Sequence, residues 1–271
     1  MIKQNTGGNG MKYFVVDAFA QKVFEGNPAG VCIMKDWISD ELMQKIAIEN
    51  NLSETAFAVK EEAGPYRLRW FTPGGEINLC GHATLATAFI IFNYYEKQLD
   101  RVMFNTISGE LTVNKQDELY ELDFPSVASE EITVTDQMIN ALGIVPKEAL
   151  LNRDLIFILE SEQEVRNVSP DFAKLETLPE GLGVCVTAKG SECDFVSRGF
   201  FPKLKINEDP VTGSLHCGLI PFWANRLGKE EMVARQLSNR GGTLYCKHEG
   251  TRVKIAGRAV LYSVAEIHVG D

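Results

Sequence analysis

The motifs in the first half of this 271-residue chain recur in the same order in the second. Arg69-Trp70-Phe71-Thr72-Pro73 and Arg198-Gly199-Phe200-Phe201-Pro202 both read Arg-x-Phe-x-Pro, and Ile77-Asn78 is echoed by Ile206-Asn207. A glycine then opens an apolar run in each half, at Gly81-His82 and at Gly213-Ser214; one small insertion within Glu208–Thr212 accounts for the difference in spacing. Solenoid repeats run at roughly 20–50 residues, far shorter than this one. Agreement of element order, spacing and residue identity points to two similar domains.

Between these landmarks the first half reads as strands at Tyr13–Phe19 and Val31–Met34, then a helix capped by Ser39 and reaching about Glu49. Ala56–Lys60 and Tyr66–Thr72 read as a hairpin turning through Ala63-Gly64-Pro65, followed by the glycine-led helix and strands Val102–Thr106, Leu111–Asn114 and Tyr120–Phe124. Pro125–Glu131 is small and polar, a boundary between domains. Beyond it come a strand at Leu155–Leu159, a helix opened by Ser169-Pro170-Asp171, and a hairpin of Val184–Ala188 with Asp194–Gly199. The second apolar helix, Gly213–Leu227, carries Pro221, whose missing N–H leaves the carbonyl of Cys217 without its helical partner. Strands around Met232–Leu237, Thr243–Lys247 and Arg252–Ala256 follow, with Asn239-Arg240-Gly241-Gly242 as a turn.

The expected fold is α+β: a lead-in over residues 1–10 without order, a barrel domain over 11–124, and a second over 125–258, each a curved sheet around a central helix. The last strand, Ala259–His268, finds no counterpart at Pro125 and is expected to return residues 259–271 to the first domain.

Two like domains leave a cleft, and the repeat places both apolar helix starts there. The first N–H groups of a helix lack internal partners and its dipole is positive at that end, so the two starts make a receptor for a carboxylate. Glu54, between a helix and a strand, is either a general acid/base held toward the cleft or a solvated loop carboxylate. Asp209 is either an acceptor for a ligand amine or hydroxyl or a helix-start acid answering the dipole. His82 is a proton shuttle or ligand donor, or a satisfied buried histidine. Cys80 is a thiol acid/base or a small core residue. A zinc site from Cys80, His82, His216 and Cys217 would need two pairs with no common zinc spacing to converge, so no metal is assigned.

Other classes of function are disfavoured. A formal net charge of -10 offers no basic excess for nucleic acid. No run is long enough to cross a membrane, and the polar Met1–Gly10 has no apolar core of the kind a signal peptide carries. The six scattered cysteines then read as reduced thiols of a cytoplasmic protein. There is no G-x-x-x-x-G-K-S/T loop, no G-x-G-x-x-G after a strand and no G-x-S-x-G elbow, so no nucleotide cofactor and no serine nucleophile is indicated.

Taken in order, Gly26-Asn27-Pro28, Asn51-Leu52-Ser53-Glu54-Thr55-Ala56-Phe57, Arg69–Pro73, Cys80-Gly81-His82-Ala83-Thr84, Glu208-Asp209-Pro210-Val211-Thr212-Gly213-Ser214 and Arg240-Gly241-Gly242 resemble the phenazine-biosynthesis-like PhzF family. The resemblance runs from about Met11 to the C-terminus. It implies the diaminopimelate-epimerase-like fold, a homodimer, no cofactor, and an isomerase acting on a small carboxylate, the best-understood reaction being a proton shift on trans-2,3-dihydro-3-hydroxyanthranilate. It implies that Glu54 shuttles the proton, that His82 and Asp209 face the substrate, that Gly81, Gly213 and Ser214 bind its carboxylate, and that Asn27 lines the pocket. Leu215 stands where alanine is usual, and Asn78 and Leu79 are less typical before Cys80, which bears on pocket shape. Related two-base epimerases use a cysteine from each half; here Thr212 stands opposite Cys80, so a two-thiol racemase is the rival, beside a binding protein of the same fold without turnover.

Overall fold

The computed structural model of the chain describes residues 10–62 and 64–269. The expectation for residues 1–10 therefore lies outside the described residues except at Gly10, which is already in a strand, and Ala63 in the expected hairpin turn lies outside them too. The first half runs β1 (Gly10–Ala18), β2 (Asn27–Met34), α1 (Asp40–Asn50), β3 (Glu54–Lys60), β4 (Tyr66–Thr72), β5 (Gly75–Ile77), α2 (Gly81–Ile90), β6 (Arg101–Thr106), β7 (Gly109–Gln116) and β8 (Leu119–Pro125). The second runs β9 (Glu130–Ile132), α3 (Asp136–Leu142), β10 (Glu148–Leu151), β11 (Leu155–Ile158), α4 (Glu162–Asn167), α5 (Phe172–Glu176), β12 (Val184–Lys189), β13 (Phe195–Phe201), β14 (Ile206–Asp209), α6 (Gly213–Leu227), β15 (Glu231–Gln236), β16 (Gly242–Glu249), β17 (Arg252–Gly257) and β18 (Ala259–His268). No described helix is long and apolar enough to cross a membrane.

The repeat is reproduced in the pairing. β2 lies parallel to β3 as β11 does to β12; β3–β4 and β12–β13 are antiparallel; β4–β6 and β13–β15 are parallel. The shared Arg-x-Phe motif does the same work twice. Arg69 donates through Nε and Nη2 to Glu76, and Arg198 through the same atoms to Glu208. Each guanidinium lies 5.1 Å from the centre of a phenylalanine ring two residues on, Phe71 or Phe200.

One expectation is overturned. The last strand does have a counterpart: β9 leaves β8 and pairs with β10 of the second half, just as β18 leaves β17 and pairs with β1 of the first. β9 is three residues long and begins Glu130-Glu131, so no alternation marks it. α3, α4, β5, β10 and β14 were also not anticipated; all are seven residues or fewer, too short for a clear period. The Pro125 boundary does not interrupt the sheet, because β8 pairs with β17 across it from Pro125–Arg252 to Tyr120–Gly257.

Apolar residues from both halves merge into one core around α2 and α6, from Phe14 and Trp70 to Leu219, Trp223 and Ile255. Two smaller clusters lie outside the sheet, one under α1 with Phe57 and Phe71, the other under α3–α5 with Phe157 and Phe200. α2 is enclosed: His82 to Ala88 are all buried, so its apolar character all round meets an apolar surrounding.

Candidate active site

α1, α3, α4 and α5 each have an N-terminal side chain (Ser39, Thr135, Ser161, Asp171) accepting from a first-turn N–H. The two central helices do not: neither Cys80 at α2 nor Thr212 at α6 caps its helix. The orphan donors thus remain at the starts of the two central helices. Gly213 is buried, yet a methyl group there would meet nothing within 4 Å, and one at Gly81 would meet only the Phe124 ring, at 3.6 Å. Protein packing does not demand glycine at these positions; open space beside bare N–H groups does suit a ligand.

The titratable groups gather beside these ends. Glu54 opens β3 and is 9% exposed. Its Oε2 lies 3.0 Å from His82 Nε2, in the first turn of α2. The contact is out of line for a hydrogen bond, and that shielded oxygen has no hydrogen-bond donor among the described residues. Burial opposes a charge on His82, but the hydrogen-bond contact with Cys80 and the Glu54 carboxylate beside it favour the cation and hold the imidazole well above its usual pKa. Burial and the Glu54 charge push the Cys80 thiol up, so it stays protonated.

Asp209 closes β14 four residues before Gly213. Asn27 Nδ2 donates to its Oδ1 at 2.8 Å and also to the Val211 carbonyl at 2.9 Å; Thr212 Oγ1 donates to its Oδ2 at 2.5 Å. The residue keeps some surface, while dense protein around its carboxyl raises the pKa to about 6 against the His82 cation and these two donors; the Glu54 charge adds to the rise. Asn27 Oδ1 is buried and without a donor among the described residues.

Of the residues named from the sequence, Glu54 and His82 are in direct contact, and Asp209 and Asn27 join through a hydrogen bond that links the two halves. Gly81 and Gly213 begin the two uncapped helices. Ser214 is exposed, its hydroxyl accepting from Arg153 Nη2 at 2.9 Å, so only its main chain joins the uncapped turn. The imagined zinc set does not converge. His216 turns its Nδ1 to the Thr212 carbonyl (2.8 Å) and its ring to Phe195, and Cys217 Sγ points to the Gly213 carbonyl. Glu54, Cys80 and His82 do cluster, but Cys80 Sγ lies nearer His82 Nδ1 (3.5 Å) than Nε2 (4.0 Å), whereas Glu54 approaches Nε2. A shared ion would need the ring to turn.

Sequence reasoning missed Gln236, whose buried amide accepts from Thr212 N at 2.9 Å and donates to the Asp209 carbonyl at 2.8 Å. It also missed Arg153. Neither sits in a motif, although a glutamine closing an apolar strand is a weak signal.

The halves differ in their chemistry. Register places Gly183 opposite Glu54, Thr212 opposite Cys80 and Ser214 opposite His82. A Cβ on Gly183 would lie 2.2 Å from Phe201 Cε1, so the space corresponding to the Glu54 side chain is filled by an aromatic ring. At the helix starts Thr84 and His216 act alike: each bonds the carbonyl four residues back, Cys80 O at 2.6 Å and Thr212 O at 2.8 Å.

The model of the phenazine biosynthesis-like protein family matches residues 16–265. An uncharacterized isomerase of Pseudomonas aeruginosa is 50% identical over 260 residues, covering 96% of this chain and 99% of its own. The crystal structure of a PhzF-family phenazine biosynthesis protein from Enterococcus faecalis superposes with a TM-score of 0.95 at 52% identity, covering 96% of this chain and 100% of its own. A hydroxyproline epimerase from Agrobacterium vitis, with trans-4-hydroxy-L-proline bound, shares the fold alone: TM-score 0.61 at 12% identity, over 97% of this chain and 94% of its own. A duplicated epimerase-like fold, a family match over nearly its whole length and isomerase relatives at half identity make this chain a member of the phenazine biosynthesis-like PhzF family of isomerases.

Proposed function

We propose that the protein moves a proton between carbons of a small cyclic amino or hydroxy carboxylate, without a cofactor, with Glu54 as the single general acid/base. The observation that carries this is the Glu54 carboxylate: shielded, beside a cationic His82, with one oxygen awaiting a donor, and with no second base in the mirror position. The ligand carboxylate is held by the bare N–H groups at Gly81 and Gly213. Glu54 takes a C–H proton from the adjoining carbon system and returns it to another carbon on the same face. Charge that develops as the proton leaves is drawn toward the carboxylate at the helix ends, where preorganised donors meet it. His82 lies against the Glu54 carboxyl, and Asp209 with Asn27 receives the ligand amine or hydroxyl.

The two-thiol rival is disfavoured, because Cys80 is a buried protonated thiol and Thr212 spends its hydroxyl on Asp209. Screening cyclic amino and hydroxy acids in deuterated water by NMR tests the proposal. Glu54→Gln is expected to abolish deuterium incorporation, at least about a hundredfold, with ligand binding largely kept; unchanged exchange in that variant refutes the role.

A further inference from the structure

The Arg240-Gly241-Gly242 turn lies outside the chemistry described above, yet it is built against the loop that delivers Asn27. Arg240 Nη2 donates to Asp17 Oδ1 at 2.7 Å and to the Glu25 carbonyl at 3.0 Å, and Nε donates to the Gly26 carbonyl at 2.8 Å. Asp17 is buried, and its Oδ2 accepts from Phe24 N at 2.9 Å. Gly26 N closes the clasp on the Gly241 carbonyl at 2.6 Å. The loop needs such outside support, because Phe19 and Phe24 are held at φ 60° and 74°, a region costly for residues with a side chain. Gly242 admits no side chain: a Cβ would lie 2.4 Å from Val211 Cγ2 and 3.0 Å from the Phe19 carbonyl.

The same segment also holds the other partner. Alternate residues Gln236, Ser238 and Arg240 reach, in turn, the Asp209 carbonyl, the Pro210 carbonyl (2.8 Å from Ser238 Oγ) and the Gly26 carbonyl. One strand end with its turn therefore fixes Asp209 from behind and Asn27 through its preceding residue. We propose that Arg240, anchored by Asp17, is a positioning residue: it sets the β1–β2 loop so that Asn27 Nδ2 stays on Asp209 Oδ1, and thereby sets the proton affinity and the aim of the Asp209 carboxyl. Arg240 makes no contact with the reacting groups itself. The functional importance of this rests on the reading of Asp209 as a substrate-facing group, but its test does not require turnover.

The test is a carbon-13 NMR titration of protein labelled at aspartate carboxyls, with the Asp209 signal assigned by its loss in Asp209→Asn. The groups facing Asp209 are Asn27 from β2, Glu54 from β3, His82 from α2 and Thr212 from the start of α6. Arg240→Ala and Asp17→Asn are each expected to raise the Asp209 midpoint by about one pH unit as a donor to the charged form is lost. Arg240→Lys, which keeps a charge for Asp17 and loses the fork to the carbonyls, should fall between, and it keeps the test open if the alanine variant does not fold. Asn27→Ala should give the same rise, and adding Arg240→Ala to it should add nothing. Arg226→Ala, which breaks a comparable fork to Glu148 elsewhere, should leave the midpoint in place. A lower Tm in Arg240→Ala with an unmoved midpoint, or full additivity with Asn27→Ala, overturns the proposal. Absence of proton exchange in the wild type would refute the isomerase reading while leaving this titration readable.

Discussion

Val127 donates its backbone N–H to the carbonyl of Cys217 at 3.0 Å, the carbonyl that Pro221, four residues on, cannot bond. The proline within α6 thus creates a docking point for the segment that crosses between the halves. Proline in a helix interior ordinarily costs about 3 kcal/mol. Here the orphaned acceptor is satisfied, so Pro221→Ala should stabilise the protein by less than about 1 kcal/mol, because its new N–H competes with Val127. Urea denaturation measures the gain, and faster hydrogen exchange at Val127 reports the competition. A gain near the full proline cost, with Val127 still protected, would contradict this.

Two glycines should answer oppositely to alanine. Gly213→Ala enters open space and is expected to leave stability within about 0.5 kcal/mol, while weakening carboxylate binding tenfold or more, about 1.4 kcal/mol, by standing between ligand and backbone. Gly183→Ala collides with the Phe201 ring and should destabilise by about 1–3 kcal/mol. Thermal melts and calorimetric titration with a screened ligand separate the two. Unimpaired binding in Gly213→Ala would remove the carboxylate from that helix end.

Two buried groups give stability opposite dependences on pH. Burial pushes His216 down to about 4 from the usual 6.5 of a histidine. Its contribution is full above about pH 6.5 and is lost as pH falls toward 4, about 3 kcal/mol in all. Burial raises Asp209 from 3.8 to about 6. Its favourable contribution is present below pH 4 and lost as pH rises through 6, so above pH 6 the charged carboxyl costs about 2 kcal/mol, discounted for its partial exposure. Asp209→Asn should therefore stabilise the free protein at pH 7.5 while impairing turnover. His216→Thr, borrowing the carbonyl contact that Thr84 makes in the other half, should flatten the acid limb. Denaturant titrations between pH 4 and 8 decide both; an Asp209→Asn variant less stable at pH 7.5 sinks the first, and an unchanged acid limb sinks the second.

Cys80 should behave as packing. Its thiol is buried and shifted up, so iodoacetamide at pH 7.5 should modify it far more slowly than a free thiol. Cys80→Ser should retain at least about a tenth of the activity, set against the near-complete loss in Glu54→Gln, which is a difference of more than about 1.4 kcal/mol in the barrier. Rapid alkylation with parallel inactivation would return the thiol to the chemistry.

The sequence by itself determined the duplication, the two apolar helices and the candidates at their starts. Those features live in contiguous runs: Arg-x-Phe-x-Pro, a glycine and an apolar stretch are each written within a few neighbouring residues. It also exposed the carbonyl that Pro221 leaves behind, since a helix couples residues four apart. Only the tertiary structure decided that Val127 takes that carbonyl, that β9 pairs with β10 while β18 returns to β1 of the first half, and that Phe201 occupies the space corresponding to the Glu54 side chain. It alone joined Asn27 to Asp209 and Arg240 to Asp17. Each of these pairs lies far apart in the chain, and its energy comes from burial and hydrogen-bond geometry that exist once both central helices share one core, which no local pattern of residue types encodes.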